Sequence, residues 1–504
     1  MPSDRSSKST ATPIRSVAFV SLGCPKNLVD SERMLGLLAA DGLAITPDAE
    51  AADAIVINTC GFLEASKDES LKEIEQAIAL KENGKCQRVI VAGCLVQRHK
   101  TKLLNDAPGI DRLVGVFDRE HIVAAVRGAE NPRQEHGHYL GKYHDLTKML
   151  VAGRGLLVEG DSQTTTHNPQ PTTRLPVFED DRARLRLTPR HFAYLRIAEG
   201  CNQGCAFCTI PSIRGPMRSK PIEQVLLEAQ ELAADGAVEL NLIGQDTTSY
   251  GTDIGDERGL AGLLHTLDRK LKDVHWLRLM YAYPSCFTDE MIDAVGNASR
   301  VVKYIDMPLQ HISDEILTRM RRRVTRRVIE TLLDKLRRWV PGIAIRTTFI
   351  AGSPSETEAQ HQELVQFVKD FGFDMMGVFP YSPEPGTSMG KLDGQIPDAE
   401  KQRRVEELML TQQTVAFAKA KSMIGKKVEV LVDSAAGSKP SDGFVARTSA
   451  QAPEIDSVTF VRGEKLHAGE LLSVQITDYQ NYDLVAEVPR SKSRKLPVMA
   501  ASGR

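Results

Sequence analysis

The sequence predicts an α/β protein with a doubly wound N-terminal α/β domain, a central partial (β/α)6 barrel and a small C-terminal β-barrel. Three observations predict this fold class: the length, the recurrence of short apolar runs between amphipathic stretches, and a change to β-rich runs near the C-terminus. A chain of 504 residues exceeds the size at which one hydrophobic core keeps growing, so several domains are expected.

The predicted N-terminal domain covers residues 14–128 and follows a polar tail at 1–13. Its predicted strands lie at 16–22, 54–58, 88–92 and 112–116. Helical patterns separate them, such as 28–40, which ends near Gly42. Short apolar runs that alternate with amphipathic helices are typical of a parallel sheet covered on both faces.

Three cysteines follow strands of this predicted sheet. Cys24 ends the run SVAFVSLGC, Cys60 ends DAIVINTC, and Cys94 ends RVIVAGC. Ligands of open α/β sheets bind beyond the carboxyl ends of the strands, so the three thiols are predicted to meet at one site. Three thiolates indicate an incomplete metal-cluster site, and the alternative is that these residues are small buried hydrophobes. Cys86 and Cys286 lack this placement and are interpreted as non-ligands.

Residues 129–188 are predicted to be a linker or insertion. The segment contains SQTTTHNPQPTT and has too few apolar residues to bury a core. Its histidines have no metal-ligand spacing and are interpreted as solvated: His136, His138, His144 and His167.

The central domain is predicted over residues 189–420. Strand-like runs recur at 192–199, 238–244, 276–283, 301–309, 343–351 and 375–381. Between the first two, a helix at 222–234 has Pro221 near its start and Gly236 beyond its end, which are common boundary residues. Six such units predict a partial barrel with its functional groups at the carboxyl ends of the strands.

The loop after the first barrel strand contains Cys201, Cys205 and Cys208 in the pattern CxxxCxxC, with Phe207 before the third cysteine. Closed electron-transfer clusters use four thiolates, so three predict an iron-sulfur cluster with one iron open to a substrate or cofactor. The alternative is zinc, which takes four ligands in structural sites and usually includes histidine in catalytic ones.

Polar residues at other strand ends are further binding candidates. Gly244 and Gln245 end the second barrel strand, where they can meet a bound amino acid moiety. Arg346 on the fifth strand can pair with a ligand carboxylate through its planar guanidinium, or equally with a carboxylate of the barrel itself.

Residues after the fourth barrel strand are also polar. Gln310 and His311 end this strand, and Ser313 is predicted to cap the next helix. The run 319–327 holds six arginines. It is suited to an anionic partner such as ribosomal RNA or tRNA, but a solvated helix face is the favoured interpretation.

The last domain is predicted over residues 421–490, and a tail follows at 491–504. Short β-rich runs such as 427–432 and 471–477 alternate with Gly, Ser, Pro and Asp turns, which predicts a small β-barrel. The segment contains eight Lys and Arg against ten Asp and Glu, a net charge of −2. A non-basic barrel is poorly suited to gripping nucleic-acid phosphates.

The composition of the whole chain restricts its class. Hydrophobic residues make up 41% and charged residues 26%, with a net charge of −2, which is ordinary for globular proteins. No apolar run approaches the length of a membrane span, so no membrane partner is expected. Eight cysteines and an N-terminal segment without an apolar signal region predict a reducing compartment, and the cytoplasm is expected.

The cysteine loop resembles that of the radical S-adenosylmethionine (SAM) superfamily, whose signature is CxxxCx(aromatic)C. From about residue 16 to 488, the chain is similar to the methylthiotransferase family. Besides the cysteine loop, the motifs that carry this resemblance are SLGCPKN, INTCGF, AGC, LIGQDTTSYG, PLQH, RTTFIAG and YSPEPGT. The resemblance implies SAM as a cofactor and two 4Fe-4S clusters, an auxiliary cluster in the N-terminal domain and a core cluster in the barrel. Their implied ligands are Cys24, Cys60 and Cys94 for the auxiliary cluster, and Cys201, Cys205 and Cys208 for the core cluster.

The resemblance also implies how SAM and substrate are held. SAM contacts are expected from Phe207, Gly244, Gln245 and Arg346, and no catalytic residue is expected beyond the cluster ligands. The C-terminal barrel is similar to a TRAM domain, which captures substrate.

Two types within this family differ in substrate. The RimO type modifies an aspartate of protein S-twelve in the small ribosomal subunit, and the MiaB type modifies an adenosine of tRNA. The stretch 452–456 resembles the APEID stretch of the RimO type, and a non-basic barrel suits a basic ribosomal protein better than an RNA backbone. Ser457 stands where the family often has Gly, and the segment after Gly128 is long, so substrate docking departs from the family pattern.

The implied reaction begins when a donor such as flavodoxin or ferredoxin gives an electron to the core cluster. SAM is then cleaved, and a deoxyadenosyl radical removes hydrogen from the β-carbon of the aspartate. The auxiliary cluster supplies sulfur, and a second SAM supplies the methyl group. A function of a different class, a non-catalytic iron-sulfur and RNA-binding assembly factor, is the alternative that a test of SAM cleavage decides.

Overall fold

The computed structural model describes residues 13–128, 180–437, 443–463 and 465–489. Most of the predicted linker at 129–188, with its four histidines, and nearly all of the predicted tails at 1–13 and 491–504 lie outside these described residues. None of the helices in the described ranges is long and apolar enough to cross a membrane.

The N-terminal domain is a parallel sheet with helices on both faces. Its strands are β1 (Ser16–Ser21), β2 (Ala44–Thr46), β3 (Ala54–Thr59), β4 (Arg88–Gly93) and β5 (Arg112–Val114). Its helices are α1 (Pro25–Ala40), α2 (Glu64–Asn83), α3 (Cys94–His99), α4 (Leu103–Asp106) and α5 (Ile122–Arg127). The strand order is β2-β1-β3-β4-β5, a doubly wound order, so this part of the predicted fold class is confirmed.

The two faces of this sheet bury different side chains of the same strand. All six residues of β3 are buried, as expected for a strand covered on both sides. Ile55 and Ile57 pack with Ile74 of α2, whereas Val56 packs with Met34 of α1. The sequence patterns miss β2, because this three-residue edge strand is only partly buried and has no apolar run.

The central domain contains a six-stranded parallel sheet and a separate two-stranded sheet. Its strands are β6 (Phe192–Arg196), β7 (Ala198–Glu199), β8 (Arg218–Ser219), β9 (Glu239–Ile243), β10 (Trp276–Leu279), β11 (Val301–Asp306), β12 (Ala344–Ala351) and β13 (Met375–Pro380). Its helices are α6 (Ile210–Arg214), α7 (Ile222–Ala234), α8 (Gly259–Lys270), α9 (Asp289–Asn297), α10 (Asp314–Arg319), α11 (Arg326–Trp339), α12 (Glu358–Phe371) and α13 (Asp398–Met423). The six-stranded sheet has the order β13-β12-β11-β10-β9-β6, and β7 pairs with β8. The six predicted strands and the helix at 222–234 are confirmed.

The partial barrel has an apolar outer face and a polar, aromatic inner face. Successive side chains of a strand point to opposite faces. Along β12, Ile345 and Phe349 therefore join the core beneath the helices, whereas Arg346 points inward and is only partly buried. Tyr194 and Tyr304 lie on the same inner face, in a separate cluster. The inner face thus carries side chains that can form polar contacts.

The predicted cap at Ser313 is wrong in its details. Ser313 precedes α10, but its side chain makes no capping hydrogen bond. Its backbone N–H instead donates to Nδ1 of His311 at 3.0 Å. The buried imidazole therefore organises this turn.

The arginine run at 319–327 is not one solvated helix face. Helix α10 ends at Arg319 and α11 begins at Arg326. Between them, Arg321 and Arg323 adopt left-handed backbone conformations with φ of 56° and 55°. This turn directs Arg322 inward, where it is only 4% exposed, so the prediction of a solvated arginine is wrong for Arg322.

The C-terminal domain is a closed five-stranded barrel, as predicted. Its strands are β14 (Lys427–Ala435), β15 (Phe444–Thr448), β16 (Thr459–Arg462), β17 (Leu471–Gln480) and β18 (Asp483–Glu487). The order β14-β15-β16-β18-β17 closes through the pairing of β17 with β14. Closure pairs each of these five strands with a neighbour on both sides.

The small barrel packs against the inner face of the central sheet. Leu431 and Ala452 of the small barrel share one apolar cluster with Tyr194 and Tyr304. The hydroxyl of Tyr194 donates to Glu454 at 2.7 Å, and that of Tyr304 donates to Asp456 at 2.9 Å. The stretch 452–456 therefore docks one domain onto the other.

Candidate active site

The first cysteine triad lies at the carboxyl edge of the N-terminal sheet. Cys24 follows β1, Cys60 follows β3, and Cys94 begins α3 directly after β4. In the order β2-β1-β3-β4-β5 the neighbours β1 and β3 form the topological switch point, where doubly wound sheets bind ligands. Sheet topology thus explains why cysteines distant in the chain converge.

Glycines beside these cysteines allow the loops to approach each other. A Cβ atom at Gly23 would lie 2.8 Å from Cβ of Cys60, and Gly23 has a φ of 92°. A Cβ atom at Gly61 would lie 2.7 Å from Cα of Leu95, the residue after Cys94. A larger residue at either glycine would separate the loops, so the Gly-Cys and Cys-Gly pairs of the sequence are part of the site.

The three thiols share one electrostatic environment. Burial raises the pKa of Cys94 to about 11, and the neighbouring Cys24 and Cys60 add to this, although Arg214 opposes it. Burial also raises the pKa of Cys60. At Cys24 burial has the same tendency, but the charges of Lys26 and Arg214 outweigh it and lower the pKa. Cations therefore stabilise the thiolate of Cys24, whereas burial outweighs them at Cys60 and Cys94.

Arg214 connects this triad to the central domain. Its side chain is 1% exposed. The Nη2 atom lies 3.2 Å from Sγ of Cys94 and 3.0 Å from Asp30, both in the N-terminal domain. The Nη1 atom lies 3.0 Å from Glu199 of the central domain. Burial alone would lower the pKa of Arg214, but Cys94 and Glu199 outweigh burial, and the pKa lies above its usual value. A charged group therefore crosses the domain boundary to reach a candidate ligand.

The second cysteine triad lies in the loop between β7 and β8. These two short strands pair with each other, Ala198 with Ser219 and Glu199 with Arg218, and close the base of the loop. Within the loop, the N–H of Cys201 donates to Gly215 at 3.2 Å, and the N–H of Cys208 donates to Cys205 at 3.1 Å. Backbone hydrogen bonds thus fix the loop at its base and within its cysteine motif.

The core of the loop is anchored by the far side of the barrel. The N–H of Ala206 donates to the carbonyl of Met320 at 3.0 Å, and its carbonyl accepts from Met389 at 3.0 Å. Phe207 is partly buried and packs with the cluster that contains Met320 and Tyr381. The aromatic residue of the motif therefore secures the loop to the barrel.

Two side chains reach the thiols of this second triad. Nη1 of Arg322 lies 3.5 Å from Sγ of Cys205, and the hydroxyl of Tyr283 lies 3.6 Å from the same sulfur. The Arg322 guanidinium also stacks 4.0 Å from the centre of the Tyr283 ring. Burial, with the neighbouring thiols, raises the pKa of Cys201 and of Cys208 to about 12, although Arg322 opposes the rise.

The candidates for SAM contact lie in two places. Gly244 and Gln245 follow β9, and Nε2 of Gln245 donates to Glu199 at 2.8 Å, beside the cysteine loop. Arg346 lies deeper in the barrel, where Nη1 is 2.8 Å from Asp306 and Nε is 3.3 Å from Asp456 of the small barrel. This geometry favours an ion pair within the protein over contact between Arg346 and a ligand carboxylate.

Sequence reasoning missed the side chains that contact the sulfurs. Arg214, Arg322 and Tyr283 belong to no motif that indicates metal chemistry, and each reaches its sulfur through tertiary packing. Cys286, interpreted as a non-ligand, lies near the second triad, because Nε2 of Gln203 in the cysteine loop is 3.4 Å from its Sγ. An isolated cysteine gave no signal of this proximity.

The donor sets fit iron-sulfur clusters better than single metal ions. Among the described residues, Glu358, His361 and Glu407 bring their ligand atoms within 4.8 Å of one another, close enough to hold a single metal ion. Neither cysteine triad is that compact. Sulfurs around one zinc ion lie at about 2.3 Å from the metal and hence within about 4.6 Å of each other. Wider sets of three thiols suit a cluster of several irons.

Comparisons with known proteins agree with this architecture. Family models match residues 16–115 as Uncharacterized protein family UPF0004, 195–368 as Radical SAM superfamily and 424–488 as TRAM domain. The fold is similar to that of the radical SAM methyltransferase TsrM from Kitasatospora setae, with a TM-score of 0.51 and 15% identity over 75% of this chain and 74% of that one. The chain is therefore a radical SAM enzyme in fold and in its cysteine loop.

Curated relatives define the family more closely. The chain is 40% identical over 95% of its length to "Ribosomal protein uS12 methylthiotransferase RimO" of Anaeromyxobacter sp. (strain K), of which 95% is covered. Proteins of the same name from Trichlorobacter lovleyi and Protochlamydia amoebophila are 38% and 41% identical over 94% of this chain, and 98% and 92% of those proteins are covered. The chain belongs to the RimO family of radical SAM methylthiotransferases, enzymes that use SAM and two 4Fe-4S clusters.

Proposed function

We propose that this methylthiotransferase adds a methylthio group to the β-carbon of an aspartate in ribosomal protein uS12. The main support is that two domains each hold a site with three cysteines. Arg214 connects these two sites across the domain boundary. The substrate is proposed from the relatives, whose printed name specifies uS12 and which match along nearly the whole chain.

The proposed cluster ligands are Cys24, Cys60 and Cys94 for the auxiliary cluster, and Cys201, Cys205 and Cys208 for the core cluster. When bound, the core cluster with SAM supplies hydrogen abstraction from an unactivated carbon, and the auxiliary cluster supplies sulfur. Three thiols at each site leave an iron without a protein ligand, as both roles require.

The protein holds the reacting groups in position and places charges beside them. Phe207 secures the cysteine loop, and Gly244 and Gln245 are proposed to contact SAM beside it. Arg214 and Arg322 each place a positive charge beside one triad. Arg214 is 1% exposed and Arg322 is 4% exposed, so these two charges are poorly screened and interact more strongly with the sulfurs than they would in water.

The small barrel supports a protein substrate over tRNA. Its segment 421–490 has a net charge of −2, whereas proteins that grip nucleic acid use a basic surface. We propose uS12, free or in the small ribosomal subunit, as the partner, with tRNA adenosine as the alternative substrate. We further propose a small electron donor such as flavodoxin or ferredoxin, and a cytoplasmic location, where ribosomes work.

The test is mass spectrometry of two substrates. Small ribosomal subunits and tRNA are incubated separately and without oxygen with cluster-loaded enzyme, SAM and a strong reductant. A methylthio mass increase on an aspartate peptide of uS12 is expected. The same increase on a tRNA adenosine alone would overturn the substrate proposal. An absence of 5′-deoxyadenosine in both reactions would favour a non-catalytic assembly factor.

A further inference from the structure

Lys26 is a buried cation that pairs with no carboxylate of the described residues. It lies in the first turn of α1, two residues after Cys24, and its side chain is 7% exposed. Its Nζ atom lies 3.1 Å from the centre of the Tyr281 ring. No carboxylate of the described residues comes within the 4.0 Å of Nζ that defines an ion pair. An ammonium group held out of water without a carboxylate partner is unfavourable, so it is suited to an anionic ligand.

Other buried cations of the described chain show how the protein normally treats such groups. Arg196 pairs with Asp30 at 2.6 Å, Arg278 pairs with Glu239 at 2.9 Å, and Lys220 pairs with Asp181 at 2.8 Å. Arg322 has a backbone carbonyl, that of Pro308. Lys26 has the face of the Tyr281 ring in place of a carboxylate. A cation–π contact offsets only part of the cost of desolvation.

The position of Lys26 is between the two cysteine triads. Tyr281, its ring partner, follows β10 at the carboxyl edge of the barrel. Two residues further on, the hydroxyl of Tyr283 lies 3.6 Å from Sγ of Cys205 in the second triad. Cys24 of the first triad is two residues from Lys26 in the chain. The segment 281–283 therefore leads from Lys26 to the core cysteines.

The backbone at Tyr281 is held in an uncommon conformation that presents its ring to Lys26. Its φ is 59°, in the left-handed region that is disfavoured for a bulky residue. Two hydrogen bonds maintain it: its N–H donates to Asp306 at 3.1 Å, and its carbonyl accepts from Thr247 at 3.2 Å. Such outliers cluster at functional sites.

The nearby acid is already neutralised. Asp306 accepts from Tyr281 through Oδ2, and Oδ1 of Asp306 is bound by Arg346 at 2.8 Å. The charge on Lys26 is therefore available to an anion that enters from outside. A side chain that reacts between a core cluster and a sulfur-supplying cluster has to reach this space.

We propose that Nζ of Lys26 binds the carboxylate of the substrate side chain and makes the enzyme selective for an acidic residue over its amide. This inference rests on the proposed function, because it assigns the substrate aspartate to a residue. A buried ammonium is satisfied by a carboxylate and left unsatisfied by a carboxamide, and mismatches of this kind commonly change affinity by about 10- to 100-fold. The competing role for Lys26 is to act solely as a counter-charge for the Cys24 thiolate.

The test measures binding, with activity as a separate readout. Cluster-loaded enzyme with SAM and without reductant is titrated with purified uS12 and with a uS12 variant that has asparagine at the modified aspartate. The wild type is expected to bind the aspartate form about 10- to 100-fold more tightly. Lys26→Met is expected to bind both forms equally, and Lys26→Arg is expected to retain a preference for aspartate.

The control is Lys335→Met. Lys335 also places its ammonium over an aromatic ring, 5.3 Å from the centre of Trp339, but it pairs with Asp289 at 2.8 Å and lies on α11. Its variant is expected to behave as the wild type. Iron and sulfide analysis of each variant shows whether both clusters are present. If Lys26→Met loses a cluster, Lys26→Gln replaces it.

The outcomes separate this inference from the proposed function. Modification of uS12 by the wild type, with the same aspartate preference in Lys26→Met, would overturn the role of Lys26 and leave the function standing. Equal binding of both uS12 forms by the wild type would also overturn it. If a changed auxiliary-cluster spectrum is the sole effect of Lys26→Met, Lys26 is a counter-charge. If the wild type modifies tRNA and not uS12, the proposed function fails first.

Discussion

Arg214 is predicted to set the reduction potential of the auxiliary cluster. Its Nη2 atom lies 3.2 Å from Sγ of Cys94, and it is 1% exposed, so its charge is poorly screened. A unit charge acting over about 6 Å, at an effective dielectric constant near 20, changes the energy of adding an electron by about 3 kcal/mol, or roughly 120 mV. Because a positive charge favours the reduced cluster, Arg214→Gln is expected to lower the potential by about this amount.

The assay is a redox titration followed by electron paramagnetic resonance. Replacing Cys201, Cys205 and Cys208 together with Ala leaves the auxiliary cluster as the remaining proposed cluster. Arg214→Gln should still fold, because Arg196 lies 2.6 Å from Asp30 and 2.7 Å from Glu199 and keeps both acids paired. Arg214→Lys retains the charge and is expected to give a smaller shift.

Arg322 provides the matched comparison. It contacts Cys205 in the way that Arg214 contacts Cys94, at 3.5 Å from the sulfur. Arg322→Gln in the protein with both clusters is therefore expected to lower the potential of the core cluster and to leave the auxiliary cluster unchanged. An unaltered auxiliary potential in Arg214→Gln, or an equal shift caused by Arg322→Gln, would refute the reasoning.

Three further predictions concern the core triad, the domain interface and the N-terminal sheet. Cys205→Ala is expected to abolish formation of 5′-deoxyadenosine and to reduce bound iron by about half. Cys86→Ser is expected to change neither, because Cys86 precedes β4 whereas Cys94 follows the other end of that strand. Tyr304→Phe removes the hydroxyl that donates to Asp456 and is expected to lower the free energy of unfolding by about 1–3 kcal/mol. The measurement is the rate of proteolysis between the domains, which should rise. The control is Tyr482→Phe at an exposed position, and equal rates for the two variants would contradict the prediction. Burial disfavours the charge of Asp53, but hydrogen bonds from the Arg15 N–H, Lys85 and Ser16 outweigh this and lower its pKa from 3.8 to about 2. Its stabilisation, about 1–2 kcal/mol, is thus present above pH 4 and is lost as the pH falls towards 2, so Asp53→Asn should speed hydrogen exchange of β1 at pH 7, with the difference shrinking near pH 3.

The elements of the fold were predictable because each parallel strand is a short apolar run bounded by polar residues. The same regularity made the cysteines informative, since Cys24, Cys60 and Cys94 each stand at the end of such a run. A short partly buried strand such as β2 has neither property. Local sequence patterns therefore identify long or fully buried elements and the residues at their ends.

Contacts between domains were not predictable by the same means. Arg214 touches Cys94, 120 residues earlier in the chain, and Tyr304 touches Asp456, 152 residues later. No periodicity links such residues, because the contacts arise when separately folded surfaces dock. The stretch 452–456 illustrates the difference: its resemblance to a family motif was visible, but its role in attaching the small barrel to the inner face of the central sheet was not.

Buried charges at these interfaces have a consequence for the chemistry. Asp30 of the N-terminal domain is bound by Arg196 and Arg214 of the central domain, with 2% of its side chain exposed. Buried ion pairs often add little net stability, but separating one partner leaves an uncompensated charge and costs about 3–5 kcal/mol. A displaced N-terminal domain would break the pairs of Asp30 with Arg196 and with Arg214. Asp30 would keep Arg119 of its own domain, and both arginines would keep Glu199, so the cost is smaller than that of a charge left with no partner. The arrangement therefore favours one relative position of the two triads, which an enzyme that passes a substrate between two clusters needs before the substrate arrives.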